Sequence, residues 1–345
     1  MNRTLLHGVR VIELAGLAPV PHCGMMLADF GATVTVIDKP SGSSDIEQRM
    51  ATNKTVQELD LKAKHDIEKL RQLCKSSDVL LDPYRPGVLE KIGLDPVKLL
   101  EENKGLVVCR LTGYGQVGPR AQQAGHDINY VSITGLLPTI SGHNNRRPWP
   151  PVNLLADFAG GGLTAAFGVV AALLKREKNG GHGCIIDCSM SEGLSYLGSF
   201  VRRYYDMEHL WTQPYAAFSG DCPVYRTYKT KDDKWVAVGA LEPKFNTTLF
   251  TVLGMDISIS DMYSDPAGVE SKMEEIFRRK TRDEWMSLFA ESDACVTPVL
   301  SLDEAIKDPH NVARESFTKD GNTFVPQPAP KMYSGEEFRK LTSKL

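Results

Sequence analysis

Asp157 is the only charged residue in the run Asn153 to Leu174, NLLADFAGGGLTAAFGVVAALL, where it precedes three consecutive glycines, Gly160 to Gly162. A carboxylate at the mouth of an apolar helix has two uses. It can cap the helix by accepting a first-turn N–H, or it can act as an acid/base whose proton affinity is raised by apolar surroundings. The glycines favour the second use, because they cost helix stability and let something approach the backbone closely. A second candidate lies in Ala124-Gly125-His126-Asp127-Ile128-Asn129-Tyr130. His126 is either a structural histidine or an imidazole at a helix N-terminus, where free N–H groups hold a developing oxyanion. Glu242, before Pro243, is either a first-turn acid stabilised by the helix dipole or a partner for a catalytic histidine. Lys39 and Arg85 each follow a short apolar segment. Together they can bracket phosphates; either alone reads as surface charge.

These residues need a frame. Val9 to Leu14 and Thr33 to Asp38 read as strands around a helix from Pro21 to Phe30, the βαβ opening of a parallel sheet. An acidic residue ends the second strand, as in dinucleotide-binding folds. The phosphate loop does not follow, because Gly16-Leu17-Ala18-Pro19-Val20-Pro21 replaces GxGxxG and its prolines remove N–H donors. That argues against a nicotinamide enzyme. Ser41 to Thr55, with Arg49 and Lys54, reads as a polar loop, and Gln57 to Leu61 as a strand. Ala63 to Lys75 is an amphipathic helix, and Val79 to Leu81 and Leu106 to Leu111 are further strands. Lys39 and Arg85 then fall at the carboxyl ends of strands, where ligands gather in open α/β sheets. Cys184 to Cys188 is another strand, and Ser189 with Glu192 caps a helix near 190–208. Periodicity is lost over 206–219, which reads as a linker. Pro223 to Lys229 and Trp235 to Leu241 form a hairpin, and a helix from Glu242-Pro243 ends at Gly254. Thr281 with Glu284 and Ser301 with Glu304 mark helix starts around a strand, Cys295 to Leu300. The expected organisation is an α/β domain over 1–205, a small α+β domain over 220–310 and a Pro-rich return over 311–345.

At 345 residues, 42% hydrophobic and 24% charged, the chain is long enough for two globular domains. A net charge of −3 and a pI near 6.3 give no basic field for nucleic acid. Seven cysteines without a CxxC pair point to reduced thiols in an intracellular compartment. Cys184 and Cys188 share one strand face as small hydrophobes. The eight histidines make no HxxH or HxxxH pair, so no metal site is expected. Met1 to Leu6 is too short for a cleavable signal, and the uncharged run Phe158 to Leu174 is expected to be a buried core helix, short of a membrane span. The chain ends in Ser343-Lys344-Leu345, the peroxisomal address.

Seven segments carry a resemblance: ELAGLAP (13–19), LADFGATVTVIDKP (27–40), LDLK (59–62), AGHDINY (124–130), NLLADFAGGGL (153–163), AVGALEP (237–243) and DACVTPVL (293–300). Over residues 5–330 the chain resembles the alpha-methylacyl-CoA racemases of the family III CoA-transferase fold. The resemblance implies a Rossmann-like large domain, a small α+β domain and an interlocked homodimer whose sites use both chains. By the same resemblance His126 and Asp157 match two acid/base residues, and Glu242 the glutamate that pairs with the histidine. Lys39 stands where an arginine is usual at the CoA, keeping the charge without the bidentate fork. Leu59, Asp60, Leu61, Lys62, Arg85, Gly125, Asp127, Ile128, Asn129 and Tyr130 match CoA-thioester contacts. Lys54 lies in Asn53-Lys54-Thr55-Val56, where a more basic stretch is usual. The implied activity inverts a 2-methyl stereocentre of branched acyl-CoA and bile-acid-type thioesters, with CoA as part of the substrate and no separate cofactor. It would feed peroxisomal β-oxidation, with mitochondria as a second site and the import receptor as a partner through the tail. Transferases of this fold typically carry tyrosine in the GYD motif where this chain has His126. The three polar site residues together argue against a silent acyl-CoA-binding scaffold.

Overall fold

In the computed structural model, which describes residues 5–42, 50–141 and 147–343, six strands pair in parallel. They are β1 (Arg10–Leu14), β2 (Thr33–Asp38), β3 (Thr55–Glu58), β4 (Val79–Asp82), β5 (Val107–Thr112) and β6 (Cys184–Ser189). Their order is β3-β2-β1-β4-β5-β6, the doubly wound arrangement in which chain direction across the sheet reverses between β1 and β4. Ile12 of β1 is flanked by Thr35 of β2 and Leu80 of β4. Every residue of β4 and β5 is buried, as expected of parallel strands covered on both faces. The Lys64–Lys75 helix brings Leu70 and Cys74 into a core shared with Leu14, Leu80 and Val108. The helix after β1 spans Pro19–Asp29, starting two residues before the expected Pro21. Proline is tolerated there because first-turn N–H groups have no helical acceptor.

The glycine run forms a wide, π-type helical segment, Leu154–Leu163, which continues as the α-helix Thr164–Lys178. Its N-cap is Asn153, with φ of 60°, so Asp157 lies inside the segment and is not its cap. The glycines admit neighbouring helices rather than a ligand. A Cβ on Gly160 would stand 2.7 Å from the Leu194 N and Met190 O, and one on Gly162 2.9 Å from the Pro19 O. Leu154–Lys178 is long and apolar enough by length and composition to cross a membrane, so the shorter span expected from the uncharged run alone is corrected. Nor is it wholly a core helix. Ala165, Ala166, Val169, Ala172 and Leu173 are buried, whereas Leu163, Phe167, Val170 and Leu174 form an exposed apolar stripe at helical spacing.

The helix after β6 is shorter than the expected 190–208. Ser189 caps Met190–Leu197, and the helix stops at Gly198, where a Cβ would meet the Leu136 side chain at 2.6 Å.

The chain divides into two compact units. The first comprises residues 1–137, 149–199 and 328–345, and the second 138–148 and 200–327. The second unit thus begins earlier than the expected 220, and residues 206–219 are not a linker. They carry a short helix, Glu208–Trp211, and a cluster in which Trp211 packs against Phe200 and Phe218 at centroid distances of 5.3 and 5.2 Å. Clustered aromatics need no helical period, which is why that stretch reads as irregular. The second unit holds an antiparallel sheet, β7 (Tyr225–Lys229), β8 (Trp235–Gly239) and β9 (Val296–Pro298), whose central strand is β8. Tyr228, Val236, Leu249, Met273 and Phe277 fill its core. The Thr281/Glu284 and Ser301/Glu304 capping boxes are both formed.

Candidate active site

A cavity of about 300 Å³ opens at the carboxyl ends of β1, β4 and β5, lined by Gly16, Leu17, Tyr84, Arg85, Gly113 and Tyr130 among others. This is the crevice at the β1/β4 reversal, where ligands bind in doubly wound sheets. Proline in the first turn after β1 leaves this mouth poor in N–H donors, so the crevice is not a dinucleotide phosphate loop. Arg85, exposed on its rim, donates to the Gln122 carbonyl at 3.3 Å. Lys39 is also exposed, immediately after β2. The two cations therefore end strands on either side of β1.

Beyond β5 the chain turns through glycines to His126, the extended N-cap residue of the helix Asp127–Ser132. Its backbone N–H donates to Asn129 Oδ1 at 3.0 Å, and its carbonyl accepts from Asn129 N at 2.8 Å. The residue is exposed. The first-turn N–H groups of Asp127 and Ile128 have no intrahelical acceptor by helix geometry. Tyr130, one turn on, is 9% exposed and donates its hydroxyl to the Gly125 carbonyl. Its ring meets Tyr114 edge-on at 5.0 Å, and a Cβ on Gly125 would come within 2.7 Å of it. Burial first, and then the carboxylate of Asp157, push the Tyr130 phenol up to about 12.

Asp157 is 7% exposed. Burial pushes its carboxyl up to about 6; the Asp127 carboxylate adds to the rise, and His126 pulls the other way. Asp157 is thus within electrostatic reach of His126, Asp127 and Tyr130, although it follows Tyr130 by 27 positions in the chain. A titratable carboxyl near neutrality beside an imidazole is an arrangement suited to moving a proton.

The sequence profile of CoA-transferase family III matches residues 6–340. A CaiB/baiF CoA-transferase family protein of Caenorhabditis elegans is 56% identical over 98% of this chain and 98% of its own length. The mouse alpha-methylacyl-CoA racemase is 46% identical over 94% of this chain and 86% of its own. The crystal structure of a CaiB/BaiF family protein from Brucella suis superposes with a TM-score of 0.82 at 24% identity, covering 96% of this chain and 93% of that one. The chain belongs to CoA-transferase family III.

Several residues that the resemblance assigned to CoA are placed elsewhere by the fold. The Lys54 side chain is 1% exposed, with Nζ 2.8 Å from Glu13 Oε2 and 2.8 Å from the Pro21 carbonyl. Its charge is spent inside the protein, not offered to phosphate. Burial drives the two partners in opposite directions, Glu13 up and Lys54 down. Glu13 itself was legible only as an acid inside an apolar strand, RVIEL, the mark of a buried charge that needs a partner. Leu59 is a core residue at 3% exposure, so its side chain is not a ligand contact. Asp60 fixes its own loop by accepting from Lys62 N at 3.0 Å, while Leu61 packs partly into the core and Lys62 is exposed. The Asp127 side chain is fully buried, and its Oδ1 accepts from backbone N–H groups. Ile128 and Asn129 are exposed beside His126. Glu242 belongs to the second unit, where it is the exposed N-cap of the helix Pro243–Leu253. Arg49 lies outside the described residues.

Proposed function

We propose that this chain is a 2-methylacyl-CoA racemase working by two-base proton transfer at the carbon next to the thioester carbonyl. The observation that carries the reading is a buried Asp157, its carboxyl pushed up to about 6 and its backbone N–H held by Asp127, the residue after His126, in a chain 46% identical to a racemase. Inverting that stereocentre requires removing a proton from one face and returning one to the other. In one direction neutral His126 accepts the α-proton and protonated Asp157 donates; in the other Asp157 accepts and the imidazolium donates. A carboxyl near 6 is populated in both forms around neutrality, which serves both directions. The enolate oxygen formed between the steps is held by N–H groups after His126, a contribution of roughly 3–4 kcal/mol per donor in comparable sites. Lys39 and Arg85 hold the CoA phosphates. The substrates are branched acyl and bile-acid-type thioesters, CoA being part of the substrate and no other cofactor taking part. The enzyme works as an interlocked homodimer, and the SKL ending directs it to peroxisomes, where its product enters β-oxidation.

Turnover of one epimer of a 2-methylacyl-CoA in D₂O tests the chemistry. Both epimers should accumulate with deuterium at C2, and Asp157→Asn should lose inversion. Acyl transfer to a free acid, without deuterium at C2, would make Asp157 a nucleophile that forms an acyl anhydride, and the racemase reading would fail.

A further inference from the structure

Asp127 holds two backbone amides of the segment that carries Asp157. Its Oδ1 accepts from Ala156 N at 2.7 Å and from Asp157 N at 2.9 Å. These are the third and fourth N–H groups of the Leu154–Leu163 segment, which no intrahelical carbonyl can satisfy. The segment's own N-cap does not serve them, because the Asn153 side chain makes no capping bond. Asp127 is also the residue after His126 and opens the helix that His126 caps. We infer that Asp127 is a positioning residue: one buried carboxylate, joined to His126 through the chain and to Asp157 through its backbone N–H, fixes the spacing of the two acid/base groups.

The inference rests on the two-base reading and deepens it. Asp127 is 0% exposed, its Oδ2 has no hydrogen-bond partner, and it forms no ion pair among the described residues. Only its Oδ1 is hydrogen-bonded, and the carboxylate reinforces the burial that holds the Asp157 proton. The other titratable groups against Asp157 come from the same chain segment, His126 and Tyr130. From the Pro19–Asp29 helix, His22 meets Phe158 and Gly162. From β6, Cys188 faces the Gly161 carbonyl. From the Met190–Leu197 helix the groups against the glycines are Met190 and Leu194, which do not titrate. Removing the Asp127 charge should thus release the Asp157 proton more readily without emptying the CoA crevice.

Asp127→Asn keeps the Oδ1 acceptor and the volume and deletes the charge. With a 2-methylacyl-CoA substrate, KM should stay within about twofold of wild type, while kcat falls roughly tenfold or more as the pair loses its matched spacing and protonation. The pH limb near 6 should move about one unit toward acid. Asp127→Ala, which also loses the acceptor, should lower kcat further. A raised KM with unchanged kcat and pH profile would make Asp127 a thioester contact and overturn the inference. So would wild-type behaviour of D127N beside an inactive D157N, and in that case the two-base reading would stand. Retention of inversion by D157N itself would instead sink the two-base reading. Should D127N not accumulate as folded protein, amide hydrogen exchange on the wild type decides. The Ala156 and Asp157 amides should exchange as slowly as those of β5, and exchange at the rate of exposed helix ends would overturn the anchoring.

Discussion

At the scale of single residues, burial decides which of the candidate groups can do chemistry. Lys54 and Asp157 are both polar residues in apolar surroundings, yet one is matched by an opposite charge and the other by a like one. Lys54 meets Glu13 at 2.8 Å and becomes part of the core. Asp157, buried and close to the Asp127 carboxylate, keeps its proton up to about pH 6. This has a consequence for stability. In the unfolded chain Asp157 takes an ordinary carboxylate value near 4, so its folded-state affinity is raised. The stability linked to its proton is fully present below about pH 4 and is lost as the pH rises through about 6. Asp157→Asn mimics the protonated form at every pH. It should be more stable than wild type by roughly 1–3 kcal/mol at pH 7.5, the gap closing toward pH 4. Thermal melts of both proteins across that range check this, and a gap that does not change with pH would place Asp157 in a wetter setting.

At the scale of elements, the Leu154–Lys178 helix has two jobs. Its first half is a glycine face against the helices that begin at Pro19 and Met190, and its Ala156 and Asp157 amides are held by Asp127. Its second half exposes Leu163, Phe167, Val170 and Leu174 in one stripe, with Phe167 at 74%. A contiguous exposed apolar stripe marks a surface that binds protein, which supports the homodimer proposed above. Phe167→Asp would bury a charge in that contact. In sedimentation the wild type should show twice the chain mass of 38.1 kDa, and the variant should dissociate or bind its copy far more weakly. An unchanged mass at micromolar concentration would remove the stripe from the dimer contact.

At the scale of the whole molecule, the proposed peroxisomal location is tested at the tail, of which Lys344 and Leu345 lie outside the described residues. A fluorescent protein fused to the N-terminus should enter peroxisomes, and removal of Leu345 should leave it in the cytosol. Equal cytosolic spread of both would sink the address. The sequence by itself determined the parallel sheet, because the short apolar runs Val79 to Leu81 and Leu106 to Cys109 suit strands covered on both faces. It also determined the helix starts at Ser189, Thr281 and Ser301, since capping is settled within one turn. His126 at a helix N-terminus was legible for the same reason. Only the tertiary structure decided that Asp157 is not a cap, that Lys54 is a buried partner of Glu13 and that Asp127 anchors Ala156 and Asp157. It also decided that residues 206–219 fold into the second unit. Those outcomes depend on which distant groups share a low-dielectric pocket, and pairings across 29 to 41 residues leave no local period to read.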